Sequence, residues 1–281
     1  MPLRRPRRVR LVLALVALPF LIALAWAASA ERRSEPGPLL LVGGGTTLPV
    51  FCARALELTG GADAVVLIVP QSSADPDAGL GSIEMWREAG ARDVTRLELS
   101  DPDAARRAIR RADLIWMPGG DQSRLVEALT AADLLGELRD RHARGALVGG
   151  TSAGAAAAPE WMITGKAVPV RLEAGATDLA AGLGLWPGVT VDQHFLRRER
   201  WNRFVEAVLS HPDRLGVALG ESTGVLVRGA ELEVIGAHNV VVLDARDAEV
   251  LPVKKGEVPA ATGLRMHVLR DGMRFEWVKT E

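Results

Sequence analysis

The chain predicts an α/β fold of three layers, a mostly parallel sheet with helices on both faces and antiparallel strands added toward the C-terminus. Three observations carry this. Short apolar runs alternate with amphipathic helical stretches from residue 39 onward. The early runs each end near Gly, Pro or Ser, where a buried strand would turn. The runs after residue 222 follow one another at short spacing, as antiparallel strands do.

In order, Leu39–Val42, Val65–Val69, Val94–Leu97, Leu114–Met117 and Ala146–Val148 read as buried strands. Between them Leu48–Thr59, Gly79–Ala89, Pro102–Arg111 and Ser123–His142 read as helices. Val189–Asp192 and Leu215–Leu219 are further parallel-type strands, joined by a helix over Arg198–Leu209. Val225–Arg228, Leu232–Ile235, Val240–Leu243, Leu264–Leu269 and Arg274–Val278 are the antiparallel additions. In such a sheet ligands bind beyond the carboxyl ends of the parallel strands. Gly43-Gly44-Gly45, Pro70-Gln71-Ser72-Ser73, Gly119-Gly120 and Gly149-Gly150 are therefore expected on one rim.

Residues 1–30 are a separate object. Five arginines and no acid precede the unbroken apolar run Leu11–Trp26, and Ala28-Ser29-Ala30 has the form of a signal-peptidase site. Export is expected, with an uncleaved membrane anchor as the alternative, since the run is short for a spanning helix. Residues 31–38 read as a linker and 39–281 as a single domain. Cleavage after Ala30 would leave 29 Lys+Arg against 35 Asp+Glu, a formal charge of −6. That balance argues against nucleic acid as a partner. Cys52 is the only cysteine, which excludes an internal disulfide or a thiolate metal cluster, and it is expected to pack as a small apolar group. The five histidines are scattered without a His-x-x-x-His pair, and no P-loop or Gly-x-Gly-x-x-Gly register occurs. Neither metal nor organic cofactor is expected.

Gly150-Thr-Ser152-Ala-Gly154 sits between a strand and an alanine-rich helix-prone segment. In that context Gly-x-Ser-x-Gly forces the serine into a strained turn and lifts its hydroxyl above the sheet. The Ala153 N–H then points where an oxyanion would form. A serine acting only as a helix N-cap has the same residues. An activated serine needs a base, and the base an orienting acceptor. His194 follows the strand Val189–Asp192 and Glu221 follows Leu215–Leu219, so both leave strand ends on the rim where Ser152 emerges. His142, His211, His238 and His267 fit worse. The order Ser…His…Glu differs from the Ser…Asp/Glu…His of α/β-hydrolases.

Several linked motifs now carry a resemblance: Gly119-Gly-Asp-Gln122, Gly150-Thr-Ser-Ala-Gly154, Met162-Ile-Thr-Gly165, Gly182-Leu-Gly-Leu185, Asp192-Gln-His-Phe195 with Arg198, Arg200 and Arg203, and Leu215–Gly224. From about Leu39 to Asp244 the chain resembles the cyanophycinase branch of the dipeptidase E-like serine peptidases, whose fold is similar to class I glutamine amidotransferase domains. The resemblance implies Ser152 as nucleophile, His194 as base, Glu221 as its orienting carboxylate, and Gly120 and Ala153 as oxyanion donors. Gln122, Asp192, Gln193, Arg198, Arg200 and Arg203 match substrate-contacting positions, the arginines fanned toward the cleft by a turn or helix start. Asp192 could pair with a guanidinium or an amino group, and pairing of surface arginines with Glu199 and Glu206 is the alternative for at least one of the three. Two departures stand out: Gly220 replaces an acid before the glutamate, and the chain has no tyrosine, with Met85-Trp86 in the region where the family often carries one.

The resemblance implies a serine peptidase that cuts cyanophycin, a poly-aspartate with arginine on its side chains, into β-Asp-Arg dipeptides, and the N-terminal segment makes it an exported one. An exopeptidase for other aspartyl or isoaspartyl peptides, or a catalytically silent ligand-binding member of the fold, are the alternatives. Related proteins tend to form homodimers. A glutamine amidotransferase is disfavoured, because Ser152 holds the nucleophile position and the sole thiol lies far away in sequence.

Overall fold

The computed structural model describes residues 35–165 and 170–277. The expected signal segment and the first half of the expected linker lie outside the described residues. In chain order the first half comprises β1 (Leu39–Val42), α1 (Pro49–Thr59), β2 (Val65–Ile68), α2 (Leu80–Glu88), β3 (Asp93–Arg96), α3 (Pro102–Arg111), β4 (Leu114–Met117), α4 (Gln122–Ala131), α5 (Leu135–Ala143), β5 (Leu147–Thr151) and the single turn α6 (Ala153–Ala156). The second half follows as β6 (Trp161–Ile163), β7 (Leu179–Ala181), β8 (Val189–Asp192), α7 (Trp201–Ser210), β9 (Leu215–Leu219), β10 (Thr223–Arg228), β11 (Glu231–Gly236), β12 (Val240–Asp244), β13 (Glu249–Val250), β14 (Ala261–Thr262), β15 (Arg265–Leu269) and β16 (Arg274–Glu276).

Local chemistry explains the helix ends. Pro49 and Pro102 stand in the first turns of α1 and α3, where a missing N–H costs nothing. The Asp101 carboxylate caps α3 by accepting from Asp103 and Ala104 N–H, and Arg110 and Arg111 sit at its carbonyl end. Ser123–His142, expected as one helix, is two. The chain breaks at Asp133, which takes φ 55 between α4 and α5. Aspartate tolerates that left-handed conformation, so the break leaves no glycine or proline signature.

Eight strands form one sheet in the order β16-β11-β10-β1-β5-β4-β2-β3. Its five strands from β1 to β3 are parallel, and β10, β11 and β16 add antiparallel on the other side of β1. Alternation along β1 assigns its side chains to the two faces. Leu40 and Val42 pack with Phe51, Cys52 and Ala55 of α1 and Trp86 of α2. Leu39 and Leu41 join Ile109 of α3, Leu125 of α4 and Leu138 of α5. Each of these leucines, fully removed from water, contributes about 2 kcal/mol. Cys52 is buried among apolar side chains as expected, and burial pushes its thiol up to about 11. Trp86 is a core residue, its ring edge-on to Trp116 at 5.4 Å.

One expectation is corrected. β8 and β9 do not continue the parallel sheet that holds β5; they pair in a second sheet of order β15-β12-β9-β8. The place beside β1 is taken by β10, in register Leu39 with Val227. One face of the small sheet, with Val191, Val217 and Val242, packs into the core beneath the large sheet. The other is covered by Phe204 and Val208 of α7. No helix among the described residues is long and apolar enough to cross a membrane.

Candidate active site

Ser152 terminates β5 and precedes α6 with φ 54 and ψ −109, a conformation that costs a non-glycine residue of order 1–3 kcal/mol. It is held there because Ser152 N–H donates to Val42 O while Ala156 N–H donates to Ser152 O. Gly150 lies so close to Gly154 and Met117 O that a β-carbon there would overlap backbone. The strained turn expected of Gly-x-Ser-x-Gly is therefore present. No side-chain cap bond from Ser152 closes α6, so the hydroxyl is not spent on helix capping.

His194 leaves β8 with φ 50, fixed by its N–H donating to Gly43 O at 2.7 Å. Glu221 leaves β9 next to Ser222, which has φ 49 and donates its N–H to Gly44 O. The Gly43–Gly45 loop after β1 thus ties both strand ends of the small sheet to the large one. Ser152 Oγ lies 2.9 Å from His194 Nε2, and His194 Nδ1 lies 2.7 Å from Glu221 Oε1. The hydrogen bond to His194 keeps the Glu221 carboxyl below its ordinary range, so it is an ionised acceptor. Nδ1 must then carry the proton, and Nε2 is left to accept from Ser152. Burial lowers the His194 pKa below the usual imidazole value; the Glu221 contact opposes that and the Arg198 guanidinium reinforces it. At neutral pH the imidazole is an unprotonated base.

The Gly119-Gly120 turn after β4 faces Ser152: a β-carbon on Gly119 would lie 3.5 Å from Ser152 Cβ. Gly120 has φ 146 and sits so tightly on Ser72 O that any side chain would collide with backbone. Ser72 Oγ donates to Gly119 O at 2.8 Å, and Asp121 N–H donates to Ser72 O. The sequence marked residues 70–73 as a rim loop but not this brace, because a buried serine has no distinctive spacing. Ala153 opens α6, where a helix leaves its N–H without an intrahelical acceptor. Gly119 and Ala153 thus flank the serine with backbone.

The remaining site candidates divide. Gln193 is beside the nucleophile, its Oε1 3.5 Å from Ser152 Oγ. Gln122 is buried and donates Nε2–H to Ile163 O at 2.9 Å, bracing the strand β6. Asp192 is fully buried and accepts a two-pronged guanidinium contact from Arg203, with Nε to Oδ2 at 2.7 Å. Arg200 donates to Gln193 O at 2.7 Å and approaches Asp192 at 3.6 Å. Burial and then the neighbouring Arg203 charge lower Arg200 to about 10, which leaves it cationic at neutral pH. The expected fan of three arginines is therefore corrected. Arg200 and Arg203 are turned inward to fix Asp192 and Gln193, and Arg198 is exposed on the turn before α7. Pairing with a buried acid explains the inversion, since a guanidinium leaves water only against a hydrogen-bonded carboxylate. Glu206, expected on the surface, is also buried. Gly220 is explained by close packing, because a β-carbon there would meet Asn239 O at 2.8 Å. Among the described residues no group of three or more His, Cys, Asp or Glu side chains is arranged to hold a metal ion.

The chain is similar to known peptidases over most of its length. Residues 39–235 match peptidase family S51. A cyanophycinase of Synechococcus elongatus is 37% identical over 261 residues, covering 86% of this chain and 80% of the relative. A cyanophycinase of Geminocystis herdmanii is 35% identical over 233 residues, covering 79% of this chain and 86% of the relative. The crystal structure of a peptidase from an acI-B1 actinobacterium superposes with a TM-score of 0.62 at 20% identity, over 87% of this chain and 98% of that one, and shares the fold. The serine at its strained turn, and these matches across most of the chain, lead to one assignment: the chain belongs to peptidase family S51 and is a serine-type peptidase similar to the cyanophycinases.

Proposed function

We propose that Ser152, His194 and Glu221 are the catalytic triad of an exported peptidase that hydrolyses cyanophycin or related aspartyl peptides. The observation that carries the reading is the continuous hydrogen-bonded run from Ser152 Oγ through His194 to Glu221 Oε1. Ser152 Oγ attacks the scissile carbonyl while His194 Nε2 takes its proton. The oxyanion is received by the N–H groups of Gly120 and Ala153. His194 gives the proton to the leaving amine, and the C–N bond breaks to an acyl-enzyme. Water then attacks the ester, losing its proton to His194, which passes it to Ser152 Oγ as the acyl C–O bond breaks and the product carboxylate leaves.

Cyanophycin as substrate is supported by the 35–37% identity to cyanophycinases over most of the chain. Exposed Arg197 and Arg198 lower the Glu221 pKa along with His194, so cationic charge stands beside the triad, where an aspartyl carboxylate would be welcome. Export rests on the arginine-rich, apolar, small-residue order of residues 1–30. Mass spectrometry of a digest by the purified protein tests activity and bond choice together. β-Asp-Arg from cyanophycin supports the reading. Cleavage of isoaspartyl dipeptides with cyanophycin left intact shifts the substrate to other aspartyl peptides. No cleavage of either, with Ser152 unlabelled by a fluorophosphonate, overturns it.

A further inference from the structure

Glu206 is a buried carboxylate in the middle of α7, 1% exposed, and the triad makes no use of it. It accepts from Gly175 N–H at 2.8 Å, Thr177 N–H at 3.0 Å and Ser210 Oγ–H at 2.6 Å. Two of these donors are backbone groups of a segment some thirty residues earlier in the chain. The same segment is tied to α7 a second time, Thr177 Oγ1 donating to Arg203 O at 3.0 Å. Taking a carboxylate out of water costs several kcal/mol unless its hydrogen bonds are replaced, and an apolar side chain would hold α7 against its neighbours without that cost. What an apolar side chain cannot do is specify where two N–H groups must lie.

That segment reaches a polar cavity beside Asp121, the residue that follows the Gly119-Gly120 turn. Asp178, directly after Thr177, accepts from Thr164 Oγ1 at 2.9 Å, and its carbonyl accepts from Thr164 N–H. Thr164, Gly165 and Asp178 line one side of this cavity, whose other side is Asp121, Ser123 and Glu127, the cap and first two turns of the helix that follows Gly120. Gly165 borders the Gln122 side chain, with a β-carbon there meeting it at 3.8 Å. On the far side, the backbone of Ala174 pairs with Glu257 and Gly256, so the segment is clamped between α7 and residues 254–257. These last lie beyond the stretch matched to the family.

We propose that Glu206 is a positioning residue for substrate binding. It holds residues 173–178 so that Thr164, Gly165 and Asp178 form a fixed wall beside the Gly119-Gly120 turn. The inference deepens the proposed peptidase reading and rests on it for the substrate. α7 also carries Arg203, whose guanidinium fixes Asp192 next to Gln193, so one helix registers both the wall and the serine's neighbours.

The test compares Glu206→Ala and Glu206→Gln in the full protein by cyanophycin hydrolysis, by fluorophosphonate labelling of Ser152, and by hydrogen exchange at residues 173–178. Glu206→Ala is expected to raise KM about tenfold with kcat within about twofold, because substrate placement and not the triad is disturbed. Labelling of Ser152 keeps the wild-type rate while exchange at residues 173–178 rises. Glu206→Gln, which retains an acceptor oxygen, restores most of the KM. An unchanged KM in Glu206→Ala overturns the proposal, as does a parallel loss of kcat and labelling in both variants, which marks a folding role. If the wild type labels at Ser152 but leaves cyanophycin intact, the substrate reading fails separately, and the same comparison is made on the isoaspartyl dipeptide that it cleaves. A protein that neither labels nor cleaves any of these peptides overturns both.

Discussion

Gly44 lies against the imidazole of His194 so closely that a β-carbon at position 44 would sit 2.2 Å from His194 Cε1 and 2.3 Å from Nε2. Gly44 also takes φ 95, a backbone region that side chains avoid. The base is thus held between Ser152 and Glu221 along its edge and by bare backbone on its face.

Gly44→Ala is expected to push the imidazole out of line while leaving the strands paired. A misplacement near 1 Å costs about 100-fold in turnover, so kcat should fall by about that factor with the far-ultraviolet spectrum unchanged. Retention of full activity would mean that the ring does not occupy this position during catalysis.

The triad itself predicts graded losses. Ser152→Ala and His194→Ala should each reduce kcat by about 10⁴-fold or more, and Glu221→Gln less severely, since the carboxylate orients and stabilises the base without attacking substrate. Thermal unfolding should show all three variants folded. Unfolding in all three would assign these residues a structural role.

Activity should follow the protonation of His194. The base works when neutral, and burial lowers its pKa, so the acid limb of kcat/KM should lie below the ordinary imidazole value near 6.5. Glu221 favours the protonated ring, so Glu221→Gln should move that limb to still lower pH while reducing the plateau. A limb that rises in this variant would contradict the assigned contact.

Acid stability should report on Asp244, the carboxylate held by Arg246 and Arg265 at the end of β12. Hydrogen bonding from Arg246 leads the causes that lower its pKa from 3.8 to about 2. A depressed carboxylate stabilises the fold above its unfolded value, and that contribution is lost as pH falls from about 4 toward 2. The shift corresponds to about 2 kcal/mol, and urea midpoints across this range should show Asp244→Asn losing that part of the dependence.

Much of the fold was legible because strand burial is written in composition. Leu39–Val42, Leu114–Met117, Val189–Asp192 and Leu215–Leu219 each form a strand with the bounds their apolar runs imply. The short strands β6 and β7 were not legible, since three residues carry no period. The break at Asp133 was equally silent, because aspartate reaches the left-handed region without a glycine to announce it.

The site was legible in its residue types. Ser152, His194 and Glu221 each follow a strand, although the strands belong to two sheets whose ends meet through the Gly43–Gly45 loop. The direction of the arginines was not. Arg198, Arg200 and Arg203 are equivalent in a linear string, and only the buried Asp192 carboxylate draws two of them inward.

By itself the amino-acid sequence determined the apolar strands, the strained serine turn and the identity of the three polar groups, because these depend on neighbours a few residues apart. Tertiary structure alone decided that β8 and β9 form a second sheet, that Gly44 shapes the seat of His194, and that Glu206 faces Gly175 and Thr177. Each of those outcomes is a contact between residues remote in the chain. Burial and competition for one partner settle such contacts, and no local pattern encodes either.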